Sequence, residues 1–205
     1  MGLEDLFVSF ENEDSSLYDF QQRLLTKDRK IVLNKTITDD TIEDICMWIF
    51  MWNEQDKDIP MDKRKKIFLY INTDGGDAVV GGMILSAIKA SITPVVTVGL
   101  GKCSSMGSYI LAAGHERYCF ANTILLVHDG ETGYVASGNK GRDMQKFFDR
   151  VDERQQRFLI ECSNLTQEFL EQNKDRELYL FAEEMKEYGL VDYIVGVDCS
   201  LDVVI

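Results

Sequence analysis

The stretch Ile67-Phe-Leu-Tyr-Ile-Asn-Thr-Asp-Gly-Gly76 holds the sharpest structural signal in the chain. Five consecutive apolar residues, Ile67 to Ile71, have the length of a strand buried on both faces, and Asn72-Thr-Asp-Gly-Gly76 ends them in a turn. A helix follows to about Ser91, so the unit reads strand, turn, helix. The same order recurs downstream. Val95 to Val98 is a strand, Gly101-Lys-Cys-Ser-Ser-Met-Gly107 a turn and Ser105 to Ala113 a helix, and Ile124 to Val127 is a further strand that ends at His128.

Upstream, Lys30 to Leu33 reads as a short strand, and Thr38-Asp-Asp-Thr-Ile-Glu43 starts a helix in which Asp40 and Glu43 are spaced as N-cap and N3 partner. Cys46, Trp48, Ile49 and Trp52 form its core stripe. Asn53 to Lys66 is charged, contains Pro60 and reads as a surface insertion, with the basic run Asp62-Lys-Arg-Lys-Lys66 as a solvated loop. Strands alternating with helices predict a parallel α/β sheet whose turns sit at the carboxyl edge, where such sheets bind ligands.

From Gly130 to Gly141 the chain is Gly-rich and polar, and an amphipathic helix then runs to about Cys162. Its apolar stripe, including Met144, Phe147, Phe148, Val151, Phe158 and Leu159, is large for a helix that only covers a sheet. It is expected to project from the core and to pack on another subunit.

A net charge of −13 speaks against nucleic acid as the main partner, because phosphate binding needs Lys and Arg. No apolar run is long enough to span a bilayer, and the opening MGLEDLFVSFENEDSS is acidic where a secretory leader would be basic. The five cysteines are widely spaced without a C-x-x-C pair, which predicts neither a disulfide framework nor a zinc site and points to a cytoplasmic setting.

Three of these turns can converge on one reaction. Ser105 lies where a strand meets a helix, and a helix start carries unpaired N–H groups, so Met106 can offer an oxyanion donor beside a nucleophilic hydroxyl. Gly76 can offer a second donor, since glycine lets the backbone approach closely. His128 ends a strand at the same edge and can serve as base. The other histidine, His115, falls in a polar stretch expected to face water. Each residue also has an ordinary reading: serines cap helices, the role expected of Ser104, and glycine pairs make turns.

The order and spacing of these residues resemble the ClpP family of self-compartmentalised serine proteases. Ile71-Asn-Thr-Asp-Gly-Gly76 resembles the family's I-N-S-P-G-G, and Gly101-Lys-Cys-Ser-Ser-Met-Gly107 its G-x-A-A-S-M-G. Arg117 to His128 resembles the strand carrying the family's histidine, and Ala182 to Asp192 its A-x-E-A-x-E-Y-G-L-V-D. Ser16 to Leu25 and Ile37 to Thr41 also match, so the likeness covers about residues 16–195.

That resemblance implies a ClpP/crotonase-like α/β fold with repeated β-β-α units and a projecting handle helix at about residues 130–162. It implies a mobile axial segment over residues 1–15 before a single protease domain over 16–205. Ser105 would be the nucleophile, His128 the base, and Gly76 and Met106 the oxyanion donors. The family's orienting aspartate falls on Glu177 when counted back without gaps, and on Asp175 if the loop slips by two residues.

Asp74 replaces the family's proline, and Cys103-Ser104 replaces two alanines. Two stacked heptameric rings, a Clp-type AAA+ unfoldase and unfolded polypeptides are the implied partners. The chain has no P-loop, and ATP would be used by the unfoldase rather than as a cofactor of this chain. Tyr70 matches a position lining the family's docking pocket, or it simply closes a buried strand. Two other readings stand beside the protease: a structural subunit with weak or no activity, and a crotonase-type acyl-CoA enzyme.

Overall fold

The computed structural model describes residues 17–130 and 135–205, with side chains from Gln21 onward. The segments expected at the axial pore, residues 1–15, and much of the Gly-rich stretch after Gly130 lie outside the described residues.

The chain runs through α1 (Leu17–Lys27), β1 (Lys30–Leu33), a π-helical turn (Ile42–Met47) leading into α2 (Trp48–Asp56), β2 (Ile67–Thr73) and α3 (Ala78–Ala90). It continues with β3 (Val95–Ser104), α4 (Met106–Ala113), β4 (Glu116–Phe120), β5 (Ile124–Val127), α5 (Gly138–Cys162), α6 (Gln167–Gln172), β6 (Leu178–Leu180), α7 (Ala182–Glu187) and β7 (Tyr193–Val195). The strands form one sheet in the order β1-β2-β3-β4-β7, all parallel, with β5 branching from β3 and β6 pairing antiparallel to β5.

Parallel neighbours need crossovers, and α2, α3 and α4 supply them. Helix and sheet faces meet in one core that includes Ile49, Leu69, Ile84, Ile88, Ile110 and Leu159. On the other face, Val96, Val98, Tyr118, Val195 and Val204 form a smaller cluster with Phe68 and Tyr70. β2 therefore alternates: Ile67, Leu69 and Ile71 are fully buried, while Phe68 and Tyr70 are only half-buried. The expectation of a strand buried equally on both faces is corrected by this second face, which the C-terminal segment covers thinly. The Tyr70 hydroxyl donates to the Val204 carbonyl, and its ring stacks on Phe68.

Three further expectations change. The supposed insertion from Asn53 begins inside α2, where Asp56 is 1% exposed and accepts from both Arg29 Nη atoms, at 2.5 and 2.8 Å, and from Thr93 Oγ1 at 2.7 Å. A charged residue in a hydrophilic stretch is thus a buried anchor, made possible by partners 27 and 37 residues away. At the other end of this helix neither Asp40 nor Glu43 caps. The Thr41 hydroxyl bonds back to the Thr38 carbonyl, and no side chain caps the π-helical turn.

The third change concerns the glycine-rich stretch before the serines. It is not a turn: β3 continues to Ser104, and its end leaves β4 to pair with β5. The turn shrinks to Ser105 alone.

α5 is long and mostly solvent-facing; Leu159 is its one buried residue among those described. Gly138 to Gly141 belong to this helix rather than to the polar segment before it. Its carboxyl end is anchored by Arg117, which donates to the Cys162 and Gly189 carbonyls at 2.5 and 2.7 Å and pairs with Asp192. The helix therefore leaves the core from a fixed base. No helix among the described residues is long and apolar enough to cross a membrane.

Candidate active site

The carboxyl edge of the sheet gathers the glycine turn, the serines and the histidine. The turn is held on every side. Thr73 Oγ1 donates to the Lys35 carbonyl at 2.7 Å and accepts the Gly75 N–H at 3.0 Å. Ile37 N–H donates to the Gly75 carbonyl at 2.8 Å, and Asp77 N–H donates to the Ile37 carbonyl at 2.9 Å. Asp77 then caps α3 by accepting from the N–H groups of Val79 and Val80.

Both glycines have positive φ, +98° at Gly75 and +147° at Gly76, a region that suits glycine. A Cβ on Gly75 would lie 2.6 Å from Ser105 Cβ and 3.1 Å from Met106 N, so its backbone comes as close to the serine as atoms allow. A Cβ on Gly76 would strike the Ile37 carbonyl oxygen at 2.3 Å.

Ser105 has φ +51° and ψ −124°, an uncommon conformation for a residue with a side chain. The surroundings over-determine it. Its N–H donates to the Leu126 carbonyl at 2.8 Å, and its carbonyl accepts from both the N–H and the hydroxyl of Ser108 at 2.9 and 2.7 Å. Ser105 stands at the N-cap of α4, yet its hydroxyl caps nothing. The ordinary role of a serine at this position is therefore unfilled, and the oxygen has no hydrogen-bond partner among the described residues.

Ser104, expected as the cap, is instead the last residue of β3 and pairs with Leu126. Cys103 is fully buried, its thiol donating weakly to the Ile71 carbonyl, and burial pushes its pKa up. It is thus held as an inert thiol beside the serines.

The amides of Gly76 and Met106 make no hydrogen bond among the described residues. Met106 opens α4, where an unpaired N–H is the rule. Two free donors and one free hydroxyl thus share an edge from which an oxyanion can be stabilised.

His128 follows β5 directly, two residues beyond the Leu126 carbonyl that holds Ser105. It is half-buried and lines a cavity of about 30 Å³ with Tyr109, Asn173 and Arg176. That volume suits a water and not a peptide. His115 is exposed, and its Nδ1 accepts from the Val95 N–H at 3.1 Å, at the opposite end of β3.

The candidate carboxylates differ in register. β5 and β6 pair Leu125 with Leu180, Leu126 with Tyr179 and Val127 with Leu178. The ladder ends at Val127–Leu178; the same register carried one step on would set Glu177 opposite His128, with Asp175 two steps beyond. Asp175 has φ +59°, and its N–H donates to Asp129 at 2.6 Å. Glu177 is exposed and accepts from the Tyr179 hydroxyl on Oε2 at 2.7 Å. No hydrogen bond joins Ser105 to His128 or His128 to Glu177.

Gly75 was not singled out from the residues alone, although the glycine pair signalled it. The Tyr179 partner of Glu177 carried no such signal. With this geometry in view, a comparison with known families finds that the Clp protease family model matches residues 12–198.

Proposed function

The chain belongs to the Clp protease family, and from that premise we propose that it is a serine endopeptidase with Ser105 as nucleophile, His128 as base and Glu177 as orienting carboxylate. The observation that carries this reading is the Ser105 hydroxyl: uncapped, unpaired and set in a positive-φ conformation beside two free backbone N–H groups.

In the proposed reaction His128 accepts the hydroxyl proton while Ser105 Oγ bonds to the peptide carbonyl carbon. The oxyanion lies between the N–H groups of Gly76 and Met106. The imidazolium then gives its proton to the leaving amine as the C–N bond breaks, and an acyl-serine remains. Water, deprotonated by the same imidazole, releases the acid and restores the hydroxyl. Glu177 accepts the second imidazole N–H and so fixes the tautomer; the Tyr179 hydroxyl occupies Oε2, which leaves Oε1 for the ring. No cofactor of this chain takes part.

Residues 16–205 would form the protease domain, residues 1–15 an axial segment, and α5 the handle that joins two heptameric rings around the sites. A Clp-type AAA+ unfoldase would deliver unfolded polypeptides in the cytoplasm. The exposed length of α5 supports the handle role, since only Leu159 of that helix is buried within the subunit.

One observation favours a second reading, a structural subunit with little activity: the three triad side chains make no hydrogen bonds to one another. Catalytic hydrogen bonds often tighten only on substrate binding, so activity decides. The assembled protein is expected to hydrolyse an unfolded polypeptide, and Ser105→Ala to abolish hydrolysis with the oligomer intact. Assembled wild-type protein without hydrolysis would leave the structural-subunit reading in place.

A further inference from the structure

The ladder between β2 and β3 breaks where the proposed site needs its most accurate spacing. Ile71 pairs with Gly99, but the next pair is Thr73 with Cys103, so three residues of β3, Leu100 to Lys102, stand against Asn72 alone in a bulge just before the serines, with Lys102 held in the sheet by β5. Backbone pairing cannot set the distance across that gap. Side chains span it instead.

Asn72 sits inside the break. Its Nδ2 donates to Asn34 Oδ1 at 2.7 Å, and its Oδ1 accepts the Lys102 main-chain N–H at 3.0 Å. A side chain at position 101 would put Cβ 2.8 Å from that same oxygen, so Gly101 leaves the space that the carboxamide fills. One amide thereby ties the loop after β1 to the bulge of β3.

Two residues on, the Asp74 carboxylate pairs with Lys102 Nζ. Asp74 immediately precedes Gly75, and its side chain is 72% exposed with no other partner among the described residues. The core does not require a carboxylate there. Asn72 thus reaches the Lys102 backbone and Asp74 the Lys102 side chain, three residues before Ser105.

We propose that Asn72 and the Asp74–Lys102 ion pair are positioning residues, which bridge the break in the β2–β3 ladder and set the spacing between the Gly75–Gly76 amides and Ser105. This rests on the reading of Ser105 as nucleophile. None of the three side chains needs to touch the scissile bond. Their contribution is geometric, and a displacement of about 1 Å at an oxyanion donor can cost about 10²-fold in rate.

The two links differ in strength. The Asn72 bonds involve a backbone N–H beside the bulge, whereas the ion pair is exposed and screened by salt. Asn72→Ala is therefore expected to lower kcat for a chromogenic peptide about 30-fold with KM unchanged, and Asp74→Asn or Lys102→Met about threefold. The double variant Asp74→Asn/Lys102→Met should lose no more than either single, because the two charges act as one unit. In 1 M salt the wild-type kcat should fall to the level of Asp74→Asn, and that variant should show little further change.

Hydrogen–deuterium exchange of the peptide covering residues 72–77 supplies a readout independent of turnover. It should quicken in all three single variants, most in Asn72→Ala. Unchanged exchange in Asn72→Ala would overturn the proposal, and so would additive losses or a change confined to KM. If wild-type protein lacks Ser105-dependent turnover, the functional reading fails, while the exchange rates still decide the bridge.

Discussion

On one side of the proposed scissile bond, the Gly75–Gly76 turn and Ser105 are clamped by main-chain hydrogen bonds to Ile37 and Leu126 and by the Thr73 hydroxyl. On the other side, His128 and Glu177 lie just past the end of a three-pair ladder and share no hydrogen bond. On the proposed reading the first half is preorganised for the oxyanion, the costliest charge to stabilise. The second half holds its partners at the ends of short strands, four and three residues long. Acyl transfer needs both, and the contrast says which half tolerates change.

The clamped half should break hardest. In Gly75→Ala the new Cβ would meet Ser105 Cβ at 2.6 Å and the Ser104 carbonyl at 2.7 Å, at a φ of +98°. Hydrolysis by folded protein is expected to fall about 10²–10³-fold, as when the neighbouring Gly76 oxyanion donor is pushed out of place. An alanine variant with wild-type rates would mean that the close approach of the turn is irrelevant to catalysis.

The looser half should respond less and selectively. Glu177→Gln is expected to slow acylation clearly but by less than loss of Ser105 or His128, since the third member of such a triad contributes less than the other two. Asp175→Asn should change it by less than about twofold, as a surface substitution. The opposite order would move the orienting role to Asp175 and shift the β5–β6 register argument by two residues.

A third comparison sets the site against the scaffold. Asp56 is buried and held by Arg29 and Thr93, so Asp56→Asn leaves a buried guanidinium without its charge partner. A loss of about 3 kcal/mol of stability is expected, read as a lowered Tm, with acylation at 25 °C unaffected. The Arg29 hydrogen bonds hold the Asp56 carboxyl below its ordinary value. Its contribution is therefore complete above the unfolded carboxylate pKa of about 3.9 and is lost as pH falls through the depressed folded value. The Tm gap between wild type and Asp56→Asn should narrow only below about pH 4; a constant gap would assign Asp56 a role unrelated to its charge.

How much of this was legible follows from the range of each interaction. Ile67 to Gly76 could be read directly, because an apolar run and a glycine pair are local signals, and β2 and its turn appear there. The end of β3 could not. Gly101 to Ser104 looks like turn chemistry, and pairing with β5, a strand some twenty residues later, together with the Thr73–Cys103 pair keeps it in the sheet. Asp56 was hidden for the same reason, since its partner Arg29 lies 27 residues away. The capping pattern at Asp40 and Glu43 misled because a π-helical turn and the Thr41 hydroxyl took over the start of that helix.

At the site, Ser105, Met106, Gly76 and His128 were singled out from type and position, and the structure brings them to one edge of the sheet. What sequence could not reveal was the positive φ at Ser105 and its unused hydroxyl, both products of packing against β5 and the glycine turn. Nor could it choose between Glu177 and Asp175, since the β5–β6 register depends on strands that are four and three residues long.

The most direct test is to locate the adduct of a fluorophosphonate probe by mass spectrometry of peptides from the assembled protein. The account predicts a single phosphonylated residue, Ser105, formed much more slowly in His128→Gln and absent in Ser105→Ala. An adduct on Ser104 or any other residue, or labelling that survives in Ser105→Ala, would contradict it.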